Sequence, residues 1–152
     1  MTEAPGTAEG ECRCGRVRFR LSDAPIFTAA CHCRGCQRMS GSAYSVSGAW
    51  PADKFEVIAG EPVIGGLHGA TRHYFCDHCM SWMFTRPEGF DTFVNVRTTL
   101  LDVPPSDPPF FETWTSEALP WAKTGATHSF ATFPPPESFE PLVAEFAGSR
   151  AG

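Results

Sequence analysis

Seven cysteines lie in three short groups along this 152-residue chain, and their spacing constrains the fold more than any other feature. The groups are Cys12-Arg13-Cys14, Cys31-His32-Cys33-Arg34-Gly35-Cys36 and Cys76-Asp77-His78-Cys79. Two intervening residues let a tight turn aim both thiolates at one metal ion, and a C-x-C pair can also chelate. Seven sulfurs divide naturally into four, which close a structural zinc site, and three, which leave one coordination position for a reactant.

Other interpretations of the cysteines remain open. Each thiol could be a small buried apolar side chain, although the tight grouping disfavours this. A single zinc ribbon could use the pairs Cys33-Cys36 and Cys76-Cys79, which leaves three cysteines without a role. Iron could take the place of zinc, or the Cys31 group could be a metal-free thiol site with a lowered pKa.

The hydrophobic pattern predicts an all-β, mainly antiparallel domain with long irregular connections and few short helices. Its clearest strand has Val17, Phe19 and Leu21 alternating with arginines. Short runs rich in Val, Phe, Thr and Tyr, bounded by Gly, Pro or Asp, extend the prediction. The candidate strands are Arg16–Leu21, Phe27–Cys31, Tyr44–Trp50, Lys54–Ala59, Thr71–Phe75, Trp82–Arg86 and Thr92–Val96.

Helices and boundaries follow from the prolines and from the polar ends of the chain. One helical turn is predicted from Gly35 to Ser40, and a second helix within Glu137–Phe146, where Pro141 should delay its start. Nine of the 14 prolines follow Leu101, which predicts extended chain without regular structure in the C-terminal third. We expect residues 1–9 to be a disordered tail, 10–146 a single zinc-binding domain, and 147–152 a C-terminal tail.

Composition disfavours several partners and compartments. The formal net charge is −5, with no basic stripe, so neither nucleic acid nor an anionic membrane surface is an expected partner. No apolar stretch approaches the roughly 20 residues of a membrane-spanning helix, and the N-terminus does not resemble a signal peptide. With seven cysteines in clusters, we expect a protein of the reducing cytoplasm.

Three segments of the chain resemble, in order, the motifs of the glutathione-dependent formaldehyde-activating enzyme family, which also contains centromere protein V. The first is Gly10–Phe19, the second is Cys31–Arg38 together with Ser40–Ala43, and the third is Phe75–Cys79. Together they extend over about residues 10 to 125. Three ordered motifs are specific for the family and much less specific for one reaction.

The resemblance implies a β-tent fold that binds two zinc ions per chain, one structural and one catalytic. It implies a carbon–sulfur lyase that condenses a thiol, glutathione or a similar molecule, with formaldehyde or a related aldehyde. The structural zinc would be held by Cys12, Cys14, Cys76 and Cys79. The catalytic zinc would be held by Cys31, Cys33 and Cys36.

Arginines near the second motif are candidates for binding the carboxylates of glutathione. Arg34 and Arg38 flank Cys36, and Arg72 precedes the third motif. Guanidinium groups pair well with carboxylates, although exposed arginines are commonly only solvated surface charges. The stretch from Ser40 to Ser42 could offer backbone N–H groups to the ligand, but an ordinary turn is the better interpretation.

The histidines and one departure from the family pattern leave further alternatives. His32, His73 and His78 lie in or near the cysteine groups and could supply a fourth ligand, which the regular spacing of the cysteines disfavours. Met80 stands where the family usually has glycine, at a cost on the order of 1 kcal/mol if a left-handed backbone is kept. The rival function is a non-catalytic, zinc-stabilised protein-binding module. The physiological thiol, the electrophile and the oligomeric state stay open.

Overall fold

The computed structural model describes residues 6–65, 69–87 and 91–151. The chain forms two compact units, the first comprising Met1–Pro25 and Ala49–Pro105, and the second Ile26–Gly48 and Ser106–Gly152. Strands dominate both units, and the described residues contain two α-helices. The predicted all-β class with few helices is confirmed.

Eleven strands and two helices follow one another along the described chain. The strands are β1 (Ala8–Glu11), β2 (Arg18–Leu21), β3 (Phe27–Cys31), β4 (Ser45–Pro51), β5 (Phe55–Ala59), β6 (Val63–Ile64), β7 (Thr71–Phe75), β8 (Trp82–Pro87), β9 (Phe93–Arg97), β10 (Phe111–Thr113) and β11 (His128–Ser129). The helices are α1 (Arg34–Ser40) and α2 (Pro136–Ala151). Short 3-10 turns include Thr115–Glu117.

The first unit contains an antiparallel sheet in the order β1-β2-β5. Alternation along β2 buries Phe19 and Leu21 completely and turns the arginines outward. Arg18 pairs there with Glu9, Glu11 and Asp102 at 2.7–3.1 Å. The period-two pattern of the sequence therefore gives this sheet one apolar face and one face of ion pairs.

A second set of antiparallel strands in the first unit follows the order β6-β7-β8-β9. Met83 and Phe84 of β8 are buried beside Val94 and Val96 of β9. These side chains join Phe19 and Leu21 in one apolar core.

The second unit has strands in the order β11-β10-β3-β4, of which β4 ends in residues assigned to the first unit. β10 runs parallel to both β3 and β11, with Phe111 opposite Ala29. The core of the second unit contains Phe110 and Phe111 with Leu142 and Phe146 of α2. Helix α2 therefore supplies the apolar layer that this short sheet needs.

Most predicted strands lie within two residues of the observed ones, but the short strands were not anticipated. β1, β6, β10 and β11 have four residues or fewer, so too few positions alternate to show a pattern. The predicted disordered tail over residues 1–9 is wrong at Ala8 and Glu9, which pair with Leu21 and Arg20; residues 1–5 lie outside the described residues. The C-terminal third is not wholly extended, because it contains β10, β11 and α2.

Helix α2 begins at Pro136, five residues before the proline that was expected to delay it. Pro136 occupies the first helical position, where the missing N–H has no intrahelical partner to lose and the fixed φ suits the helix. Pro141 does remove one hydrogen bond further along, to the carbonyl of Glu137. Burial of Leu142 and Phe146 offsets that loss.

None of the helices in the described residues combines the length and the apolar character that crossing a membrane requires.

Two residues other than glycine have a left-handed backbone in the described residues: Met80 with φ 60° and Trp114 with φ 58°. Met80 thus keeps the conformation that glycine adopts readily and that costs an L-residue about 1–2 kcal/mol. Its side chain is 57% exposed, so burial of the methionine offsets little of this cost.

We expect Met80→Gly to raise the free energy of unfolding by about 1 kcal/mol, since relief of the left-handed backbone exceeds the added entropy of the unfolded chain. Asp77→Gly, an exposed position of the same turn with ordinary backbone, is the matched control and should lower it by up to about 1 kcal/mol. Urea unfolding at fixed metal content measures both. Equal effects of the two substitutions would contradict the strain at Met80.

Candidate metal centres

Four cysteines of the first unit converge at the tips of two hairpins. Cys12 and Cys14 lie in the turn between β1 and β2, and Cys76 and Cys79 lie in the turn between β7 and β8. Their four sulfurs lie within 4.8 Å of one another. The sulfur of Cys14 is 3.6 Å from that of Cys12 and 3.7 Å from that of Cys76.

Backbone geometry aims these sulfurs inward. In the first turn, the Cys12 N–H donates to the Val17 carbonyl, and the Val17 N–H donates to the Cys12 sulfur at 3.4 Å. In the second turn, the N–H groups of His78 and Cys79 donate to the Cys76 sulfur at 3.4 and 3.5 Å. Such N–H donors stabilise the thiolate relative to the thiol, and the thiolate is the form that binds a metal ion.

Ser81 supports both turns. Its hydroxyl accepts the Arg13 N–H at 3.0 Å and lies 3.2 Å from the Cys79 sulfur. Burial would raise the pKa of Cys79, but hydrogen bonds from Ser81, from the Cys14 backbone and from the Cys76 thiol outweigh it and lower that pKa to about 5. Cys79 therefore carries thiolate character at neutral pH.

The four sulfurs fit a tetrahedral metal ion. With metal–sulfur bonds of about 2.3 Å, the edges of a tetrahedron measure about 3.8 Å. The measured separations of 3.6 and 3.7 Å agree with that edge. The donor set of four thiolates is one that zinc accepts readily.

Three cysteines of the second unit form a second sulfur group. Cys31 ends β3, Cys33 caps the N-terminus of α1, and Cys36 lies in the first turn of that helix. The Cys33 sulfur accepts the Cys36 N–H at 3.3 Å, and the three sulfurs lie within 4.8 Å of one another. Within the described residues, no further cysteine, histidine or carboxylate joins this group.

The thiols of this second group differ in acidity. A hydrogen bond from the Cys36 thiol lowers the pKa of Cys31 to about 5, against the opposing effect of burial. The pKa of Cys36 is raised, because its proton is shared with Cys31 and because the site is buried. The group can thus hold a thiolate at neutral pH, as a metal ligand or nucleophile requires.

Two buried polar side chains hold the chain around this second group. His32 is completely buried, and its Nε2 lies 2.6 Å from the Oε1 of Glu112. The Gln37 amide donates to the carbonyls of His32 and Glu117 at 2.7 and 3.0 Å. The Glu117 carboxylate in turn accepts the Arg34 N–H. Residues from β10 and the following turn therefore fix both ends of the segment 31–37 that contains the three cysteines.

The three candidate histidines do not belong to either sulfur group. His32 contacts Glu112, and the Nδ1 of His73 lies 3.0 Å from the Thr85 hydroxyl. His78 is exposed within the second hairpin turn. The structure therefore gives no support to a histidine as the fourth ligand.

The candidate substrate-binding residues have varied surroundings. The guanidinium of Arg34 donates to the side-chain carbonyl of Gln37, whereas Arg38 is exposed in the last turn of α1. Arg72 lies on β7 opposite Arg86, in the first unit. The Ser40 hydroxyl donates to the Cys36 carbonyl, so this stretch is an internally bonded turn.

The sequence did not point to Gln37, Glu112 or Glu117. A glutamine at the fourth position of a short helix carries no metal signal, and the two glutamates lie about 80 residues further along the chain. The only available hint was a polar residue inside a buried stretch of β10.

The chain is similar to known proteins of one family. The family model of the glutathione-dependent formaldehyde-activating enzyme matches residues 7–117. A protein of Halomonas elongata, whose name assigns it provisionally to the same activity, is 32% identical over 109 residues, which are 64% of this chain and 69% of the relative.

One solved structure is similar to this chain in its fold. A crystal structure of a Rhodobacter sphaeroides protein matches with a TM-score of 0.51 and 18% identity, over 62% of this chain and 87% of that protein. At this identity the likeness concerns the fold alone. The sequence match and the family model carry the assignment: the chain belongs to the glutathione-dependent formaldehyde-activating enzyme family.

Proposed function

We propose that this protein is a zinc-dependent carbon–sulfur lyase that joins glutathione, or a similar thiol, to formaldehyde or a related aldehyde. The observation that carries the proposal is the second sulfur group, in which three cysteines lie close enough together to serve as three of the four ligands of a tetrahedral ion. Membership of the family supports the choice of thiol and aldehyde.

The first sulfur group serves as the structural zinc site in this proposal. Its four cysteines complete the coordination of one ion and leave no position for a reactant. The ion would join two hairpins whose cysteines lie 62 residues apart. It would therefore stabilise the first unit and take no part in the reaction.

The second sulfur group favours a thiol as its fourth ligand. A zinc ion bound by Cys31, Cys33 and Cys36 would supply the positive charge that lowers the pKa of a thiol ligand. Three thiolates outnumber the two positive charges of zinc, so the site is a weak Lewis acid and suits a soft sulfur ligand better than it suits water. The chain contributes the ligand geometry, which is fixed by the contact of His32 with Glu112 and by the hydrogen bond from Gln37 to the His32 carbonyl.

The proposed reaction balances without an oxidant or a reductant. The thiol loses its proton, a carbon–sulfur bond forms at the aldehyde carbon, and the former carbonyl oxygen takes up a proton as a hydroxyl. Because formaldehyde is already reactive, the protein would act mainly by bringing the two reactants together.

Arg38 is the better placed of the two arginines proposed to bind glutathione. Its side chain is exposed at the end of α1, two residues from Cys36, and no ion pair engages it within the described ranges. Arg34 is already bonded to Gln37 and acts more as a support of the loop. A guanidinium at Arg38 can pair with a glutathione carboxylate.

A reducing compartment such as the cytoplasm fits the proposed chemistry. All seven cysteines are unpaired in the structure. Free thiols in two metal-type groups survive where glutathione and related thiols stay reduced.

The metal content provides the first test. We expect native mass spectrometry of the zinc-loaded protein to find two zinc ions per chain. Cys76→Ser should lose one ion and unfold the first unit, because structural zinc contributes on the order of 10 kcal/mol to folding. Cys36→Ser should lose one ion and keep the fold. One zinc per chain, with the Cys31 group open to alkylation, would instead favour a metal-free thiol site.

Formaldehyde exchange provides the second test. NMR exchange spectroscopy should show faster conversion between formaldehyde and its glutathione adduct with the zinc-loaded protein than without it. Cys36→Ser should return the rate to that of the uncatalysed reaction, whereas His78→Ala, at an exposed imidazole in the turn between β7 and β8, should not. A wild-type protein with two zinc ions and no added exchange would favour the protein-binding module.

Glutathione binding provides the third test. We expect Arg38→Ala to raise KM for glutathione about two- to fivefold with kcat unchanged, the usual size of an exposed charge pair. Arg16→Ala, at an exposed arginine of the first unit, is the matched control and should leave both constants unchanged. If Arg38→Ala leaves KM unchanged, Arg38 is only a solvated surface charge.

A further inference from the structure

The second unit contains a cavity of about 560 Å³ beside β10 and β11. Its wall includes Glu112 of β10, Ser129 of β11 and residues 115, 118–120 and 122–126 of the connection between these strands. A cavity of this size suits a small molecule. Three hydroxyl side chains, Thr115, Thr124 and Ser129, face it together with one carboxylate.

Glu112 presents an ionised carboxylate to this cavity. Burial opposes ionisation, but hydrogen bonds from Ser129, His32 and Thr124 lower the pKa of Glu112 below its usual value. The Ser129 hydroxyl donates to Oε2 at 2.6 Å, and the His32 Nε2 donates to Oε1 at 2.6 Å. A carboxylate can accept about four hydrogen bonds, so Glu112 retains acceptor capacity toward the cavity.

The alternation of β10 separates this carboxylate from the thiol of Cys31. Thr113 lies opposite Cys31 in the parallel register, and Glu112 is the preceding residue. Successive side chains of a strand point to opposite faces of the sheet. Glu112 and the cavity therefore lie on the face away from the Cys31 sulfur, which makes the cavity a second site.

The charges on the cavity wall determine which ligand it suits. Glu112 and Lys123 are the charged side chains that line it, and their signs are opposite. A ligand with a single charge would complement only one of them, whereas a ligand with both charges complements both. Serine and threonine hydroxyls can donate to a carboxylate and accept from an ammonium group.

We propose that this cavity binds an α-amino acid group, with its ammonium at Glu112 and its carboxylate toward Lys123. Two sources share that chemistry: a free amino acid, and the γ-glutamyl end of glutathione, which carries the same ammonium and carboxylate. The proposal does not depend on the lyase reaction, because it concerns binding at the face away from the Cys31 sulfur.

The test is an NMR titration of the full zinc-loaded chain with three matched probes: L-alanine, ethylamine and propionate. We expect L-alanine to shift backbone amide signals between residues 112 and 129 in a saturable way. Ethylamine lacks the carboxylate and propionate lacks the ammonium, so each should bind at least about tenfold more weakly. Equal binding of either probe, or no saturable shift with L-alanine, would overturn the proposal.

Variants identify the residues responsible. Glu112→Gln keeps the size of the side chain and should lower the affinity for L-alanine at least about tenfold. Lys123→Met, at an exposed position, should lower this affinity also. Glu145→Gln, an exposed carboxylate of α2 bonded to His128, is the control and should have no effect. If Glu112→Gln fails to fold, Lys123→Met carries the test, and unchanged L-alanine affinity in that variant overturns the proposal.

S-Methylglutathione distinguishes the two sources, because its blocked sulfur cannot lose a proton. Competition with L-alanine that is lost in Glu112→Gln supports the site and assigns it to the γ-glutamyl end of glutathione, bound apart from the Cys31 group. L-alanine binding without such competition supports the site and assigns it to a free amino acid. Formaldehyde exchange measured separately reports on the lyase, so either proposal can fail while the other stands.

Discussion

The first unit depends on the convergence of four sulfurs. The sulfurs of Cys14 and Cys76 approach to 3.7 Å although the residues are 62 positions apart in the chain. Joining such distant turns costs conformational entropy, which the metal–thiolate bonds of a bound ion would offset better than a few long hydrogen bonds. Cys12 and Cys76 are also fully buried in the same core as Phe19. The sulfur group is thus part of the core, and the two hairpins are held at the point where their turns meet.

The second sulfur group uses the same ligand chemistry under a different constraint. Its cysteines lie within six residues, so bringing them together closes almost no loop and contributes little to folding. Their arrangement is fixed instead by buried polar contacts, from Gln37 to two carbonyls and from His32 to Glu112. Loop closure therefore favours a structural role for the four-sulfur group. Local geometry with external support favours a reactive role for the three-sulfur group.

What the sequence could predict follows from the range of each interaction. β3 was predicted with its observed bounds, and the turn of α1 within one residue, because both depend on neighbouring residues. β10 was missed for two reasons. Its three residues, between prolines and a 3-10 turn, are too few to show a periodic pattern. They also pair with β3, which lies about 80 positions earlier in the chain. α2 began earlier than expected because Pro136 starts the helix and packing of Phe146 offsets Pro141. Local patterns were informative, and tertiary pairing was not visible.

Glu112 shows the same limit at the level of function. Its neighbours, Phe111 and Thr113, are buried and unreactive, and nothing near Glu112 in the sequence marks it as chemically important. Its partner His32 lies 80 residues away. Only the parallel register of β3 and β10 sets Cys31 beside Thr113 and His32 beside Glu112. Because side chains alternate along both strands, one residue step separates a face bearing a thiol from a face bearing an ionised carboxylate. Two strands of at most five residues thus supply two chemically distinct surfaces, and a register shift of one residue between them would put the carboxylate and the thiol on the same face.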